Sequence, residues 1–321
     1  MRLNRRLLLA TAVAAPGIAR GQTGFPSRNV RLLCGFSPGG ATDLLARLMA
    51  DRLAGIWGRP VVVENRPGAG GNIAAEQVAR AAPDGNTLLL GTSAQVQAAS
   101  LFARLPYHPL RDFTALLLLA GYPVVLVVTP SMPATNLAEF VAYAKAHPGE
   151  VTMASSGIGN TPHLAALLLG HMAGVEFTHV QYTGAAMAQT AVLNGEVRAA
   201  FQSMILAKPA IAAGQERALG TTSAERWPEL PDVPTIAEQG YAGYEAGSWF
   251  GIQGPAGMPP DLVARIAAAL AEAFGDAPMQ ARLASAGFGI RQAGPAAFTA
   301  LMEQEYERWA NVLRAAGLRP Q

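Results

Sequence analysis

Val30-Arg31-Leu32-Leu33-Cys34-Gly35-Phe36-Ser37-Pro38-Gly39-Gly40-Ala41-Thr42-Asp43-Leu44-Leu45 carries three patterns in one short stretch. The run over 30–36 is almost wholly apolar, as expected of a strand covered on both faces. Pro38-Gly39-Gly40 ends it. Leu44, Leu45, Leu48, Met49, Leu53 and Ile56 then recur at helical spacing, with Thr42 or Asp43 near the helix start. The same grammar continues downstream. A strand is expected over 60–64, a loop at Pro67-Gly68-Ala69-Gly70-Gly71 and a helix over 72–82. Pro83-Asp84-Gly85-Asn86 makes a turn before a third strand over 87–90. Strands alternating with helices imply a parallel sheet with helices on both faces.

The middle of the chain repeats this scheme without repeating the sequence. A helix over 136–146 leads to a strand over 151–154 and the polar loop Ser155-Ser156-Gly157-Ile158-Gly159-Asn160. Thr161 begins the next helix, with Pro162 at its first position, where a missing N–H costs least. Short strands are expected over 179–182, 197–201 and 249–253, then helices from about Asp261, Pro278 and Pro295. The last helix carries Phe298, Leu301, Met302, Trp309, Val312 and Leu313 on one stripe. With no strands of their own to cover, these helices are expected to pack back on the first unit. The chain would then cross between units near residues 122–129 and again near 244–248. The expected division is one domain of residues 22–126 with 247–321, and a second of residues 127–246. A double crossing suits hinge closure around a ligand.

Half of the 321 residues are hydrophobic and 14% are charged, which describes a globular chain of one large or two smaller domains. Residues 1–21 read as a secretory leader. Arg2, Arg5 and Arg6 precede an apolar run from Leu7, and Ala19-Arg20-Gly21 forms a small-residue cleavage site. That run is too short to span a bilayer. Arg5-Arg6 before Leu7-Leu8-Leu9 fits the twin-arginine route and ordinary Sec secretion alike, so a periplasmic location is expected by either route. Four of the 24 basic residues lie in this leader and none of the 22 acidic ones do, so the mature chain turns slightly acidic. No basic block remains to neutralise phosphates, which argues against nucleic acid. Cys34 has no partner for an internal disulfide and reads as a buried strand residue. The apolar run over 116–128 is broken by Gly121 and Pro123, so it does not read as a membrane span.

Two loops stand out chemically: Phe36-Ser37-Pro38-Gly39-Gly40-Ala41-Thr42-Asp43, and Ser155 through Asn160 with Thr161, Pro162 and His163. Each follows a strand and opens a helix. A helix start presents unpaired N–H groups and the positive end of the dipole, and so attracts anions. The same pattern also fits ordinary turn-and-cap loops. Asp43 either caps its helix or meets a ligand ammonium, and His163 is either a pocket residue or a local hydrogen-bonding partner. Motifs for other chemistries lose a key residue. Gly68-Ala69-Gly70-Gly71-Asn72-Ile73 ends in Ile73 rather than the Gly or Ala of a dinucleotide fingerprint. Gly91-Thr92-Ser93-Ala94-Gln95 places Gln95 where a nucleophile elbow needs glycine. His163 and His171 lack the companions of a metal site, so neither metal nor cofactor is expected.

These loops, together with Val62-Val63-Glu64-Asn65-Arg66-Pro67-Gly68-Ala69-Gly70-Gly71-Asn72, Ala82-Pro83-Asp84-Gly85, His163-Leu164-Ala165, His179-Val180 and Leu230-Pro231-Asp232-Val233-Pro234-Thr235-Ile236-Ala237-Glu238, resemble the tripartite tricarboxylate transporter receptors, the Bug-type periplasmic solute-binding proteins. The likeness runs over residues 25–318. It implies an α/β, two-lobed periplasmic binding protein fold (type II, Venus flytrap), each lobe a mostly parallel sheet flanked by helices. It implies a non-enzymatic, monomeric receptor that captures a small mono-, di- or tricarboxylate and hands it to membrane permease subunits. A sensory partner of a membrane regulator and an exported hydrolase are the alternatives. By position, the resemblance carries ligand binding to Phe36, Ser37, Pro38, Gly39, Gly40, Ala41, Thr42 and Asp43, and to Ser155, Ser156, Gly157, Gly159, Asn160, Thr161 and His163. It extends the pocket to Ser93 and Ala94 and to the strand-end residues Gln202 and Ser203. Gln181 and Thr183 stand where proline and lysine are common, Asn86 replaces a frequent tyrosine, and residues 198–203 lack an acid often found there. The departures put the identity of the acid in question, not the anion end of the site.

Overall fold

The computed structural model describes residues 24–315, so the expected leader at residues 1–21 lies outside the described residues. In chain order the elements of the first part are β1 (Val30–Cys34), α1 (Ala41–Trp57), β2 (Val61–Asn65), α2 (Asn72–Ala79), β3 (Thr87–Thr92), α3 (Ser93–Gln97) and β4 (Phe113–Val128). Then come α4 (Leu137–Ala146), β5 (Thr152–Ser155), α5 (Thr161–Ala173), β6 (Thr178–Gln181), α6 (Ala185–Leu193), β7 (Ala199–Ser203), α7 (Met204–Ala212) and β8 (Arg217–Thr221). The chain closes with β9 (Gly247–Pro255), α8 (Pro260–Phe274), α9 (Ala277–Ser285), β10 (Gly289–Ala293) and α10 (Pro295–Ala315).

Each lobe is a sheet with helices on both faces. In the first lobe β1 lies between β2 and β3, all parallel. Val30 and Leu32 face Leu45, Met49 and Leu53 of α1. Leu33 faces Ala74, Ala75 and Val78 of α2 on the other side. That double burial is why the strand reads as a continuous apolar run rather than an alternation. Cys34 is fully buried on β1, where burial pushes its thiol pKa up to about 11. In the second lobe β5 lies parallel to both β6 and β7.

The strand β4 joins the two. From Phe113 to Pro123 it runs antiparallel to β9, and from Val124 to Val128 it runs antiparallel to β7 and β8. Because β4 leaves the first lobe and β9 returns to it, these two run in opposite directions. The antiparallel pairs therefore sit in the middle of the sheet order and the parallel ones outside. The second half of β4 is also buried on both faces. Leu126 and Val128 pack with Phe140 and Leu164, while Val125 and Val127 pack with Ala188 and Ala207.

The last helix behaves differently from the sequence expectation. Phe298 and Met302 pack in the first lobe with Val96, Leu118 and Trp249. Trp309 and Leu313 instead join the core of the second lobe, beside Leu126 and Leu164. A helix of 21 residues spans about 30 Å, enough to lie along both lobes. Phe298 occupies space left open by Gly251 of β9: a Cβ on Gly251 would collide with its ring and lie 3.0 Å from the Leu117 carbonyl. Gly251→Val should therefore destabilise the protein by roughly 2–3 kcal/mol through overpacking, read as a lower midpoint in urea denaturation, whereas an exposed glycine such as Gly294, with open space around it, should tolerate alanine.

Candidate functional site

The ends of β1, β3, β5 and β7 point toward one gap between the lobes, and the loops that follow open helices there. Gly40 precedes α1 with extended backbone (φ −90°, ψ 176°) and no side chain caps the helix. The starts of α6, after Gly184, and α7, after Ser203, also lack a side-chain cap. The start of α5 offers less. Asn160 Oδ1 accepts the His163 N–H at 3.1 Å, and Pro162 has no N–H to give. The first helix is thus the richer donor of the two loops singled out by sequence.

These ends enclose a cavity of about 60 Å³. Phe36, Ser37, Gly40, Ala41, Thr42 and Ala94 line it from the first lobe, and Ser155, Ser156, Asn160, Thr161, Gln202 and Ser203 from the second. Pro162 of the second loop lines it too, and Thr92, Tyr122, Ala185, Ala188, Phe201, Leu206 and Ser248 also line it and were not anticipated. Thr92 and Ser248 lie at strand ends, a signal that was available. Tyr122 depends on the crossing of β4, and Ala185, Ala188 and Leu206 belong to helices whose weak amphipathic pattern hid them. None of the lining side chains is charged. The cavity presents helix starts and hydroxyls and no arginine. The Ser203 hydroxyl and Gln202 Oε1 are buried there without a hydrogen-bond partner, so water or a ligand has to complete them.

The other residues marked from sequence sit beside the cavity and hold its walls. Asp43 is buried. Its Oδ2 accepts from the Gly39 N–H at 3.1 Å and from Arg47 Nε at 3.0 Å, and its Oδ1 accepts from Asn65 Nδ2 at 3.0 Å. Burial alone would raise its pKa, but the bonds from Arg47, Asn65 and Gly39 outweigh burial and hold it below the usual carboxylate range. Its oxygens are engaged within the first lobe, not aimed at a ligand ammonium. Gly39, at φ 88°, supplies the backbone bend that this bond requires, and Pro38 lies on the same bend. His163 does not reach the cavity. Its Nδ1 accepts from the Gly159 N–H at 3.1 Å, and its ring stacks on His179 at 4.1 Å. Burial and then the neighbouring His179 push its pKa down to about 3, so it is a neutral local partner lining a separate outer groove with Phe177.

Ser93 links the lobes. Its hydroxyl is hydrogen-bonded to that of Thr161 at 3.0 Å and donates to Ser248 Oγ at 3.2 Å. Ser37 Oγ donates across the gap to the Thr183 carbonyl at 2.9 Å. Gly157 and Gly159 make backbone contact with the opposite lobe. A Cβ on Gly157 would lie 3.2 Å from Gly70 Cα, and one on Gly159 would lie 3.1 Å from Leu101. The lobes are closed upon each other.

Ser155 and His179 form a pairing with a catalytic look, at 2.5 Å from Oγ to Nε2. The Ser155 hydroxyl already donates to the Gly157 carbonyl at 3.0 Å. Its partner His179 must then be the donor, which leaves no base to activate the serine. Among the described residues no group of acids, histidines or cysteines could hold a metal ion, and no helix is long and apolar enough to cross a membrane.

A family model described as the tripartite tricarboxylate transporter family receptor matches residues 45–318. The chain is 34% identical over 314 residues to Protein BugT of Bordetella pertussis, covering 97% of this chain and 95% of that one. A solved structure described as R. palustris Rpa4515 with adipate is 36% identical, with a TM-score of 0.88 over 92% of this chain and all of the other. MatC (Rpa3494) from Rhodopseudomonas palustris, with bound malate, is 35% identical with a TM-score of 0.86 over 90% of this chain and all of the other.

The hold of Asp43 on the first loop has a pH signature. A carboxyl whose folded pKa lies below its ordinary 3.8 contributes stability above that value and loses it as pH falls through the lower one. Asp43→Ala should cost about 2–3 kcal/mol at neutral pH through lost charged hydrogen bonds. In denaturant titrations the gap from wild type should shrink as pH falls below 3.8. A gap that stays constant would show that the charge is not what holds the loop.

Proposed function

The chain belongs to the tripartite tricarboxylate transporter receptor family, and from that premise we propose that it is an extracytoplasmic receptor that closes on a small carboxylate and delivers it to membrane permease subunits. The observation that carries this reading is the cavity itself: enclosed between two lobes, lined by no charged side chain, and met by uncapped helix starts. Such a site rewards an anion with hydrogen bonds from backbone N–H groups, each worth about 1.5–3 kcal/mol to a charged partner. Several of them reach the roughly −8 kcal/mol of micromolar affinity. The acids bound by the relatives are adipate and malate, and a dicarboxylate of that size is the class we assign here.

In this reading residues 22–126 with 247–321 form one lobe and residues 127–246 the other, with α10 laid along both. Ligand groups meet Ser37, Gly40, Ala41 and Thr42 on one side and Ser155, Ser156, Thr161, Gln202 and Ser203 on the other. The leader over residues 1–21 directs export to the periplasm. Capture needs no catalysis, consistent with the unactivated Ser155.

Gly40→Asp tests the anion site directly. Gly40 has φ −90° and open space around a would-be Cβ, so aspartate fits as a helix cap without strain. The variant should fold with unchanged or slightly raised stability, while its carboxylate occupies the donors a ligand needs. Calorimetry with adipate and malate should show micromolar binding to wild type and at least about 100-fold weaker binding to the variant, several kcal/mol of charged hydrogen bonds being lost. Equal affinity in both proteins would remove α1 from the site.

A further inference from the structure

We propose that Glu216 is the proton acceptor of this receptor: an acid anion in the cavity and an ionised Glu216 exclude one another, so ligand capture loads a proton onto this residue. The inference rests on the receptor reading above and names a regulator of that same site.

Glu216 lies in the turn between α7 and β8, is 3% exposed, and sits behind the cavity wall without the cationic partner that Asp43 has in Arg47. Its Oε1 accepts from Gln202 Nε2 at 2.8 Å. Gln202 itself lines the cavity, so the carboxyl stands one side chain behind the ligand space. Glu216 Oε2 and Gln202 Oε1 are both buried and make no hydrogen bond among the described residues. A buried carboxylate ordinarily recruits a cation or several donors; this one has neither. From α6 it meets the neutral amide of Gln189, which is already donating to the Leu206 carbonyl at 2.8 Å. From α7, Lys208 is paired with Glu229. On β8, Arg217 spends its guanidinium on the Met132 and Ala134 carbonyls. Beyond β7, Arg198 sits over the Tyr143 ring at 6.0 Å. From β4 come only apolar side chains such as Val125 and Val127.

Burial accordingly pushes the Glu216 carboxyl up to about 7, with Gln202 and Gln189 pulling weakly the other way. The two histidines of the outer groove in the same lobe do not compete near neutrality, since burial holds His163 and His179 below their usual range. Without ligand, Glu216 is therefore divided between its two forms near pH 7. A carboxylate in the cavity, one side chain away in the protein interior, disfavours the ionised form by on the order of tenfold or more. By linkage, binding takes up a proton, and affinity falls as pH rises through 7. Protonation also supplies what the geometry lacks. The new O–H can donate to Gln202 Oε1 once the amide turns over, which directs Nε2 toward the cavity as a donor for the acid.

Calorimetric titration of adipate at pH 6.5 and 8.5, in pairs of buffers with different ionisation heats, tests this in wild type and Glu216→Gln. We expect wild-type affinity to fall by about tenfold between the two pH values, with about half to two-thirds of a proton taken up per adipate near pH 7.5. Glu216→Gln should bind at both pH values with the affinity wild type shows at pH 6.5, and should take up no proton. Binding by wild type without proton uptake, or the same pH dependence in the variant, overturns the assignment to Glu216 and leaves the receptor reading intact. No binding by either protein at either pH removes the receptor reading and this inference with it. If the variant does not fold, carboxyl carbon NMR of glutamate-labelled wild type decides. One glutamate titrating near neutrality, with its midpoint moved upward by adipate, supports the inference, and an unmoved midpoint overturns it.

Discussion

A helix that begins without a side-chain cap leaves N–H groups facing outward with nothing to bond. In this protein such beginnings, those of α1, α6 and α7 among them, are brought to one small space that no charged side chain lines. Everything else in the fold serves that arrangement. The strands of each lobe are buried on both faces, so the places where the chain can present unpaired groups are the strand ends. All the relevant strand ends open on the same gap. The walls are stiffened from behind by bonds such as those of Asp43 to Gly39 and Asn65, which leave the cavity-facing backbone free.

The two lobes are joined by β4, β9 and α10 and touch elsewhere through small polar groups and through apolar contacts such as Met204 against Gly287 and Leu101 against Gly159. Ser93 with Thr161, Ser37 with the Thr183 carbonyl, and the approach of Gly157 to Gly70 are neutral contacts. A neutral hydrogen bond contributes only about 1 kcal/mol net. The polar part of the closure is therefore weak by itself. A charged interlobe pair would have closed the protein without regard to its cargo.

Much of this was legible from local sequence. Gly35 through Asp43 and Ser155 through Thr161 announced strand, loop and helix start, because backbone bends and caps are written in adjacent residues. The continuous apolar runs announced strands with both faces covered. What failed to show in the sequence depends on partners distant along the chain. Nothing local distinguishes a strand that ends at Pro123 from one that continues into a second sheet, and β4 does continue. The stripe of α10 does not record that Phe298 and Trp309 enter different cores. Asp43 and His163 were open between ligand and structural roles until Arg47, Asn65 and Gly159 were seen to engage them. Helices α6 and α7 bring Ala185, Ala188 and Leu206 to the cavity, yet their small and apolar residues carry no clear period.

The most direct test of the account is a crystal structure of the protein grown with adipate. It predicts one carboxylate group in the interlobe cavity, within hydrogen-bonding distance of the backbone N–H groups of Ala41 and Thr42 and touching no lysine or arginine. An adipate held by an arginine outside the cavity, or a closed cavity filled only with water at saturating adipate, would contradict it.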